Sequence, residues 1–237
     1  MQKQGTGTEK NAQGPRYPFI DFLRGLGSFL MIIFHLVFDL NFFRVAKITF
    51  LNNLYWIGFG RLILALFLIC VGIGLALVHK HGIRWNLLKK RFYKIGGWAL
   101  VITAVTYMIL PKNFVFFGIL HCISLSSVIG VFFVTRPKLS LLLGVLLLVS
   151  DIVFKPTILP LSELLGVIPA DYIPLYPWFG LVLLGIYLES VGFHKMPIKS
   201  NICTRPFEAM GRHSLKIYLL HQPVLFGVLF ILNRFIL

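Results

Sequence analysis

Charged residues are scarce in this chain, and acidic residues are the scarcest. Only 13% of the 237 residues are charged, with 8 Asp and Glu against 23 Lys and Arg, while 57% are hydrophobic. Soluble globular domains carry about 25% charged residues. The composition therefore excludes an ordinary water-soluble domain, and its high hydrophobic share excludes a disordered chain. It indicates a protein of the lipid bilayer.

Cysteine is also scarce, and no cleavable leader is visible. Cys70, Cys122 and Cys203 lie far apart, without the spacing of a disulfide scaffold or a metal site, so we expect no bound metal. Residues 1–18 are polar and contain no apolar stretch followed by a small-residue cleavage site. We interpret 1–18 as a polar cytoplasmic tail and 19–237 as one integral membrane domain.

Long apolar runs dominate the rest of the chain. A run of about 17 to 25 residues is enough to cross the hydrocarbon core of a membrane as a helix. No internal repeat is visible. The sequence therefore predicts an all-α bundle of about seven transmembrane helices, at 19–43, 54–78, 95–112, 114–134, 139–154, 174–192 and 214–236.

The positive charge is distributed unevenly between the two predicted sides of the membrane. Placing the amino terminus in the cytoplasm puts the basic loops 79–94, 135–138 and 193–213 on the cytoplasmic side, as the positive-inside rule requires. This distribution explains the net charge of +15 without a nucleic-acid partner. We expect an integral membrane protein with its amino terminus in the cytoplasm. Segment 155–173 would be the largest segment on the outer side of the membrane, where it could form an interfacial helix or a cap.

The first predicted span carries a polar stripe. Asp21, Arg24, Ser28, His35 and Asp39 follow one another at steps of three, four, seven and four residues, which places them on one helical face. Ionisable side chains are costly inside a bilayer, so such residues are candidates for function. The stripe predicts a path through the membrane.

Two members of this stripe have the spacing of an acid–base pair. Asp39 lies one turn beyond His35, where it could accept a hydrogen bond from the imidazole and support it as a general base. Arg24 lies about 16 Å from His35 along the axis, near the cytoplasmic surface. The structural alternative is that His35 and Asp39 only satisfy one another, and that Arg24 is an interfacial anchor.

Other predicted spans also hold ionisable residues. Candidates for binding a substrate are Arg61, His121, Asp151 and His221, although a structural hydrogen bond is the simpler explanation for each taken singly. The basic cluster at Lys89, Lys90 and Arg91 is an ordinary cytoplasmic charge cluster or a phosphate contact.

Five stretches of the sequence resemble one known family. The most specific are Arg16-Tyr17-Pro18-Phe19-Ile20-Asp21-Phe22-Leu23-Arg24-Gly25, continuing to His35-Leu36-Val37-Phe38-Asp39-Leu40, and Gly211-Arg212-His213-Ser214-Leu215-Lys216-Ile217-Tyr218-Leu219-Leu220-His221-Gln222-Pro223. Weaker ones are Phe67–Gly72, Phe117–Ile123 and Tyr176–Gly180. The chain resembles the bacterial branch of the heparan-alpha-glucosaminide N-acetyltransferase catalytic-domain family. The Arg24 to His35 interval also resembles the signature of wider transmembrane acyltransferases.

The resemblance implies an activity and two roles. The resemblance implies that the protein transfers an acyl group from acyl-CoA, most simply acetyl-CoA, on the cytoplasmic side to a sugar amine or hydroxyl on the other side. The signature histidine is catalytic and the arginine belongs to the donor site, and these roles carry over to His35 and Arg24. The lysosomal members are longer and have a lumenal region that is missing here, so heparan specificity does not transfer. Seven spans could be a minimal core or one protomer of a homo-oligomer.

These observations combine into one hypothesis. A polar tunnel would admit the pantetheine arm of acyl-CoA, with Arg24 and Lys89, Lys90 or Arg91 neutralising the donor phosphates. His35, supported by Asp39, would deprotonate the acceptor as it attacks the thioester, or would form an acyl-histidine intermediate. His121 or His221 would protonate the leaving thiolate or bind the acceptor.

Two other classes remain. A proton-coupled transporter would also carry an Asp–His stripe, although transporters usually show an internal repeat. A haem-binding bundle could draw axial ligands from His35, His121 and His221, but no predicted helix carries two mid-membrane histidines for stacked haems.

Overall fold

The computed structural model describes residues 16–45, 53–154 and 171–236, and these ranges fold into helices. Within them no β-strand is present, and one isolated bridge joins Phe117 to Tyr172. The all-helical prediction is confirmed. The α-helices are α1 Pro18–Phe42, α2 Leu54–His79, α3 Trp85–Ile109, α4 Ile119–Gly130, α5 Pro137–Phe154, α6 Leu175–Ser190, α7 Thr204–Arg212 and α8 Ser214–Ile236.

Five of these helices, α1, α2, α3, α5 and α8, are long and apolar enough to cross a membrane. The other two predicted spans correspond to shorter apolar helices. Helix α6 has 16 residues, and α4 has 12 and is extended by a 3-10 turn at Val131–Phe133. At about 1.5 Å per residue both are shorter than a hydrocarbon core of about 30 Å. A count of seven spans and a cytoplasmic amino terminus stay predictions, and most of the predicted tail and of 155–173 lies outside the described residues.

Two predicted loops contain helix. Helix α3 begins at Trp85 and not at residue 95, so the basic cluster lies on its first turns. Basic side chains do not prevent a helix from continuing beyond the apolar core, so the end of the apolar run is not the end of the helix. The loop predicted at 193–213 contains the amphipathic helix α7, which is too short and too polar to register as a span.

Helix α2 occupies the centre of the bundle. It packs against α1, α4 and α6, and its side chains Leu68 and Ile73 are fully buried. The contact with α6 is close because Gly72 and Gly185 face one another, and a Cβ on Gly72 would collide with the backbone of Val182. Small residues at such crossings let membrane helices approach closely.

Helix α7 packs backbone to backbone against the first half of α1. A Cβ on Gly25 would collide with the backbone of Phe207, and a Cβ on Gly211 would collide with the backbone of Asp21. The rings of Phe22 and Phe29 flank this crossing and contact Phe207 edge to face. These contacts fix α7 at the end of α1 that is predicted to be cytoplasmic.

Helices α3, α5 and α8 form the outside of the bundle. Their main contacts are α3 with α4, α5 with α6, and α8 with α1. Large side chains such as Leu142 on α5 and Phe230 on α8 are exposed. Wide apolar faces of this kind suit the lipid environment that the composition predicts.

Candidate active site

Helices α1 and α8 bring two histidines into contact. The ring of His35 meets the ring of His221 edge to face, with centroids 4.7 Å apart and planes inclined by 83°. Both side chains are half-buried. The sequence analysis had assigned them to different roles on helices far apart in the chain. The structure makes them neighbours.

A backbone carbonyl fixes the orientation of each ring. Nδ1 of His35 lies 3.0 Å from the carbonyl oxygen of Met31, and Nδ1 of His221 lies 2.7 Å from that of Tyr218. A carbonyl oxygen only accepts hydrogen bonds, so each Nδ1 carries the hydrogen. In the neutral ring, Nε2 is then the basic nitrogen with a free lone pair. Each histidine therefore presents its Nε2 as a proton acceptor.

Asp39 lies beside this pair but does not orient His35. The carboxylate is buried, with a side-chain oxygen that accepts a 2.8 Å hydrogen bond from the amide of Gln222 on α8. The predicted hydrogen bond between His35 and Asp39 is therefore wrong. The amide of Gln222 offers Asp39 a donor across the helix interface, while His35 finds its partner one turn back on its own helix.

The α1–α8 interface leaves three buried polar atoms without a partner among the described residues: Oδ2 of Asp39, Nε2 of His221 and Oε1 of Gln222. Buried polar atoms in proteins are nearly always hydrogen-bonded, and exceptions often mark functional positions or sites of ordered water. The α1–α8 interface therefore holds two acceptor oxygens and one ring nitrogen that form no hydrogen bond with the described residues.

Aromatic side chains border the other edge of His35. Its ring contacts Phe34, which in turn packs against Trp56 and Phe59 at the start of α2, with centroid separations of 5.6, 5.5 and 5.9 Å in that order. Binding sites for small molecules commonly combine such apolar surface with a few polar groups. The histidine pair therefore sits between a polar interface and an aromatic one.

Two arginines lie within electrostatic range of one another at the opposite end of the bundle. A guanidinium nitrogen of Arg24 lies 3.4 Å from the carbonyl oxygen of Cys70, and a Cβ on Gly74 would fall 2.9 Å from it, so Arg24 points into the bundle against α2. Its positive charge repels that of Arg91 on α3. No ion pair with a carboxylate involves either arginine within the described ranges, and Nε of Arg91 is buried without a partner. Lys89 and Lys90 are exposed.

His121 belongs to a separate polar cluster. Its ring stacks on Phe117 at 5.4 Å and its Nε2 lies 3.4 Å from the hydroxyl of Thr103 on α3. Close by, a carboxylate oxygen of Asp171 accepts a 3.4 Å hydrogen bond from the backbone N–H of Ile119 at the start of α4. Burial raises the pKa of Asp171 to about 6, against the lowering effect of that hydrogen bond.

The remaining predicted acceptor residues are not drawn into either cluster. Arg61 is exposed and Asp151 is half-buried, and no hydrogen bond or ion pair between described residues joins them to His35. Surface concavities lie beside α7 and at residues 84–87, and neither is lined by Arg24 or His35. The tunnel stays a prediction, as do the roles of Arg61, His121 and Asp151.

A comparison with protein families gives a match over most of the chain. The model described as heparan-alpha-glucosaminide N-acetyltransferase, catalytic, matches residues 16–223. The chain belongs to this family. The match includes α1 and the first ten residues of α8, which contribute the histidine pair. Neither a comparison with curated proteins nor one with solved structures gives a match.

Family membership and the apolar helices together identify an integral membrane protein of an acetyltransferase family. Within 16–45, 53–154 and 171–236, no group of three or more His, Cys, Asp or Glu side chains could hold a metal ion. The hydrogen bonds of Gln222 to Asp39 and of Ile119 to Asp171 were not predicted from the sequence. Gln222 directly follows His221 in the strongest carboxyl-terminal motif, which was a usable signal, whereas nothing in the sequence around Asp171 marks it as the partner of Ile119.

Proposed function

We propose that this protein is an acetyltransferase that moves the acetyl group of cytoplasmic acetyl-CoA to an amine or hydroxyl of a sugar on the other side of a bacterial inner membrane. The family match supports the reaction class. The observation that carries the choice of site is the contact between His35 and His221, beside three unpartnered buried polar atoms.

In this proposal Nε2 of His35 is the general base. It removes a proton from the acceptor as the acceptor nitrogen or oxygen attacks the thioester carbonyl. The carbon–sulfur bond then breaks, and the protonated imidazole of His35 returns its proton to the leaving thiolate. General acid–base catalysis of this kind typically contributes about 10²- to 10⁴-fold. Met31 and Tyr218 hold both rings in the tautomer that this step requires.

Asp39 and Gln222 then have a binding role. Their unpartnered oxygens can accept hydrogen bonds from hydroxyl or amino groups of the acceptor, and the buried negative charge of Asp39 stabilises an imidazolium nearby. Phe34 and Trp56 supply apolar surface for the carbon-bound hydrogens of a sugar ring. The acceptor would therefore lie between α1, α2 and α8.

The donor phosphates are assigned to Arg24 and Arg91. Among the described residues neither inward-pointing guanidinium group forms an ion pair with a carboxylate, which favours an anionic ligand, and guanidinium binds phosphate in a two-pronged geometry. The separation of about 16 Å between Arg24 and His35 along α1 would be spanned by the pantetheine arm. Lys89 and Lys90 are exposed and are left out of this assignment.

The test is release of free thiol from acetyl-CoA by purified protein in the presence of amino sugars and polysaccharide fragments. We expect His35→Ala to reduce thiol release by at least about 10²-fold while the melting temperature changes little. His81→Ala, which alters an exposed histidine in a loop, is the matched control. Full activity of His35→Ala would rule out its role. Solute uptake into proteoliposomes without thiol release would indicate a transporter instead.

A further inference from the structure

Helix α7 borders a surface concavity that the proposed mechanism does not use. The concavity has a volume of about 690 Å³, within the range of about 300 to 1,000 Å³ that is usual for small-molecule sites. Its polar lining comes from Ser200, Arg205, Glu208 and Arg212, and its apolar lining from Ile202, Pro206 and Ala209. Arg205 and Arg212 are seven residues apart, so they lie on the same face of α7.

Glu208 lies between the two arginines and is unsatisfied. Only 8% of the residue is exposed, and its Oε1 is buried without a hydrogen-bond partner. Neither Arg205 nor Arg212 forms an ion pair with it in the part of the chain that the structure describes. A buried carboxylate oxygen of this kind is costly unless a donor from a ligand or water reaches it.

The lining of the concavity therefore sets two requirements for a ligand. Two exposed guanidinium groups on one face favour a phosphate, while the carboxylate between them repels a phosphate and needs a hydrogen-bond donor. A phosphate group with a hydroxyl on the neighbouring carbon meets both requirements. The ribose 3′-phosphate of coenzyme A, with its free 2′-hydroxyl, has this arrangement.

The position of the concavity agrees with that ligand. Helix α7 is fixed to α1 where Gly25 meets Phe207 and Gly211 meets Asp21, directly beside Arg24. The nucleotide end of a donor whose other phosphates reach Arg24 and Arg91 would emerge at this end of α1.

Resting on the proposed function, we infer that the α7 concavity binds the 3′-phosphorylated ribose of the acyl-CoA donor. Arg205 and Arg212 bind the 3′-phosphate, and the carboxylate of Glu208 accepts a hydrogen bond from the 2′-hydroxyl. The site distinguishes coenzyme A from its dephosphorylated form and anchors the donor before the thioester reaches His35.

The experiment compares acetyl-CoA with acetyl-dephospho-CoA, which differ only in the 3′-phosphate. Hydrogen bonds between charged groups are strong enough to change affinity by about tenfold or more. We expect the wild-type protein to have a KM at least about tenfold lower for acetyl-CoA, with the same kcat for both donors. The double variant Arg205→Gln/Arg212→Gln should bring the two KM values together and leave kcat unchanged.

Glu208→Leu independently tests the proposed hydrogen bond to the 2′-hydroxyl. The 2′-hydroxyl is present in both donors, so the loss of its acceptor should raise the KM for acetyl-dephospho-CoA. For acetyl-CoA the rise should be smaller, because the substitution also removes the negative charge that repels the 3′-phosphate. Arg136→Gln/Lys138→Gln removes two exposed basic side chains from another basic loop and is the matched control, with the wild-type preference expected to persist.

Several results would overturn the inference. An equal KM for both donors in the wild-type protein would do so, as would an unchanged preference in the double arginine variant. If that variant instead loses co-purifying phosphatidylglycerol while its donor preference stays, the concavity binds a lipid headgroup. If no thiol is released from either donor, the proposed function fails, and direct titration with coenzyme A and dephospho-coenzyme A still tests the site. Equal affinities in that titration would refute it.

Discussion

The rings of His35 and His221 meet edge to face at 4.7 Å across the interface of α1 and α8. The two residues are 186 positions apart in the chain, so only the tertiary structure brings them together. Each ring donates from Nδ1 to a backbone carbonyl of its own helix, which leaves two basic nitrogens at one interface. The stability of this interface and of the α1–α7 crossing can be measured directly, as can the contributions of Arg91 and Asp171.

The hydrogen bond between Asp39 and Gln222 should stabilise the α1–α8 interface. Gln222→Leu leaves the buried carboxylate of Asp39 without its donor, at a cost of about 1 to 3 kcal/mol in the free energy of unfolding. We expect a lower melting temperature in detergent. Asp39→Leu/Gln222→Leu removes both partners and should recover part of the loss, since an apolar pair leaves no charge unpaired. Additive losses in the double variant would show that the two residues do not interact energetically.

The crossing of α1 and α7 should tolerate no side chain at residue 25. A Cβ there collides with the backbone of Phe207, so Gly25→Ala must separate the helices and should destabilise the protein by about 1 to 3 kcal/mol. Gly97→Ala is the control. A Cβ at Gly97, on α3, meets nothing within 4 Å, and alanine is the better helix former by about 1 kcal/mol. Thermal unfolding should show a lower melting temperature for Gly25→Ala and a higher one for Gly97→Ala. Equal changes in melting temperature would contradict the packing described.

Arg91 should contribute more to donor binding than its basic neighbours. Arg91→Gln removes an inward-pointing cation beside Arg24 and should raise the KM for acetyl-CoA by about tenfold or more, consistent with a charged hydrogen bond of about 1.5 to 3 kcal/mol. Lys90→Gln removes the same charge from an exposed neighbouring position and should change KM by less than about threefold. Steady-state thiol release measures both. A similar rise in the two variants would indicate a diffuse electrostatic effect.

Asp171 should make stability depend on pH. Because burial raises its pKa from the ordinary 3.8 to about 6, folding favours the neutral acid. The stabilisation is fully present below pH 3.8 and is lost as the pH rises to about 6, by at most about 3 kcal/mol. Asp171→Asn does not titrate, so its melting temperature should exceed that of the wild type increasingly between pH 4 and 6 and by a constant amount above. A difference that is the same at every pH would contradict this.

Much of the helical framework could be predicted from the sequence. The ends of α1, α2, α5 and α8 fall within two residues of the predicted spans, because each apolar run ends where polar residues and turns begin. Helices α3 and α7 were misjudged because hydropathy reports what lies in lipid and not where the backbone stays helical. The basic first turns of α3 and the short amphipathic α7 are helical without being apolar throughout.

The candidate site was only partly predictable. Spacing along α1 placed Arg24, His35 and Asp39 on one stripe. It predicted a hydrogen bond from His35 to Asp39, whereas the donor to Asp39 is Gln222. A helical period states which residues share a face, whereas the hydrogen bond depends on which side chain the next helix presents. Gln222 on α8 presents an amide at Asp39, and the carbonyl of Met31 serves His35.

The sequence by itself determined that this protein belongs in a membrane, that it is helical, and which residues of α1 carry polar chemistry, since hydropathy and helical period are local properties of the chain. Only the tertiary structure decided that His221 contacts His35 and that Gln222 donates to Asp39. It also decided that Arg91 lies in electrostatic range of Arg24 while Lys89 and Lys90 are exposed, and that α7 packs against Gly25. These are contacts between distant helices. They depend on which small residues allow close approach and on which face each helix turns inward.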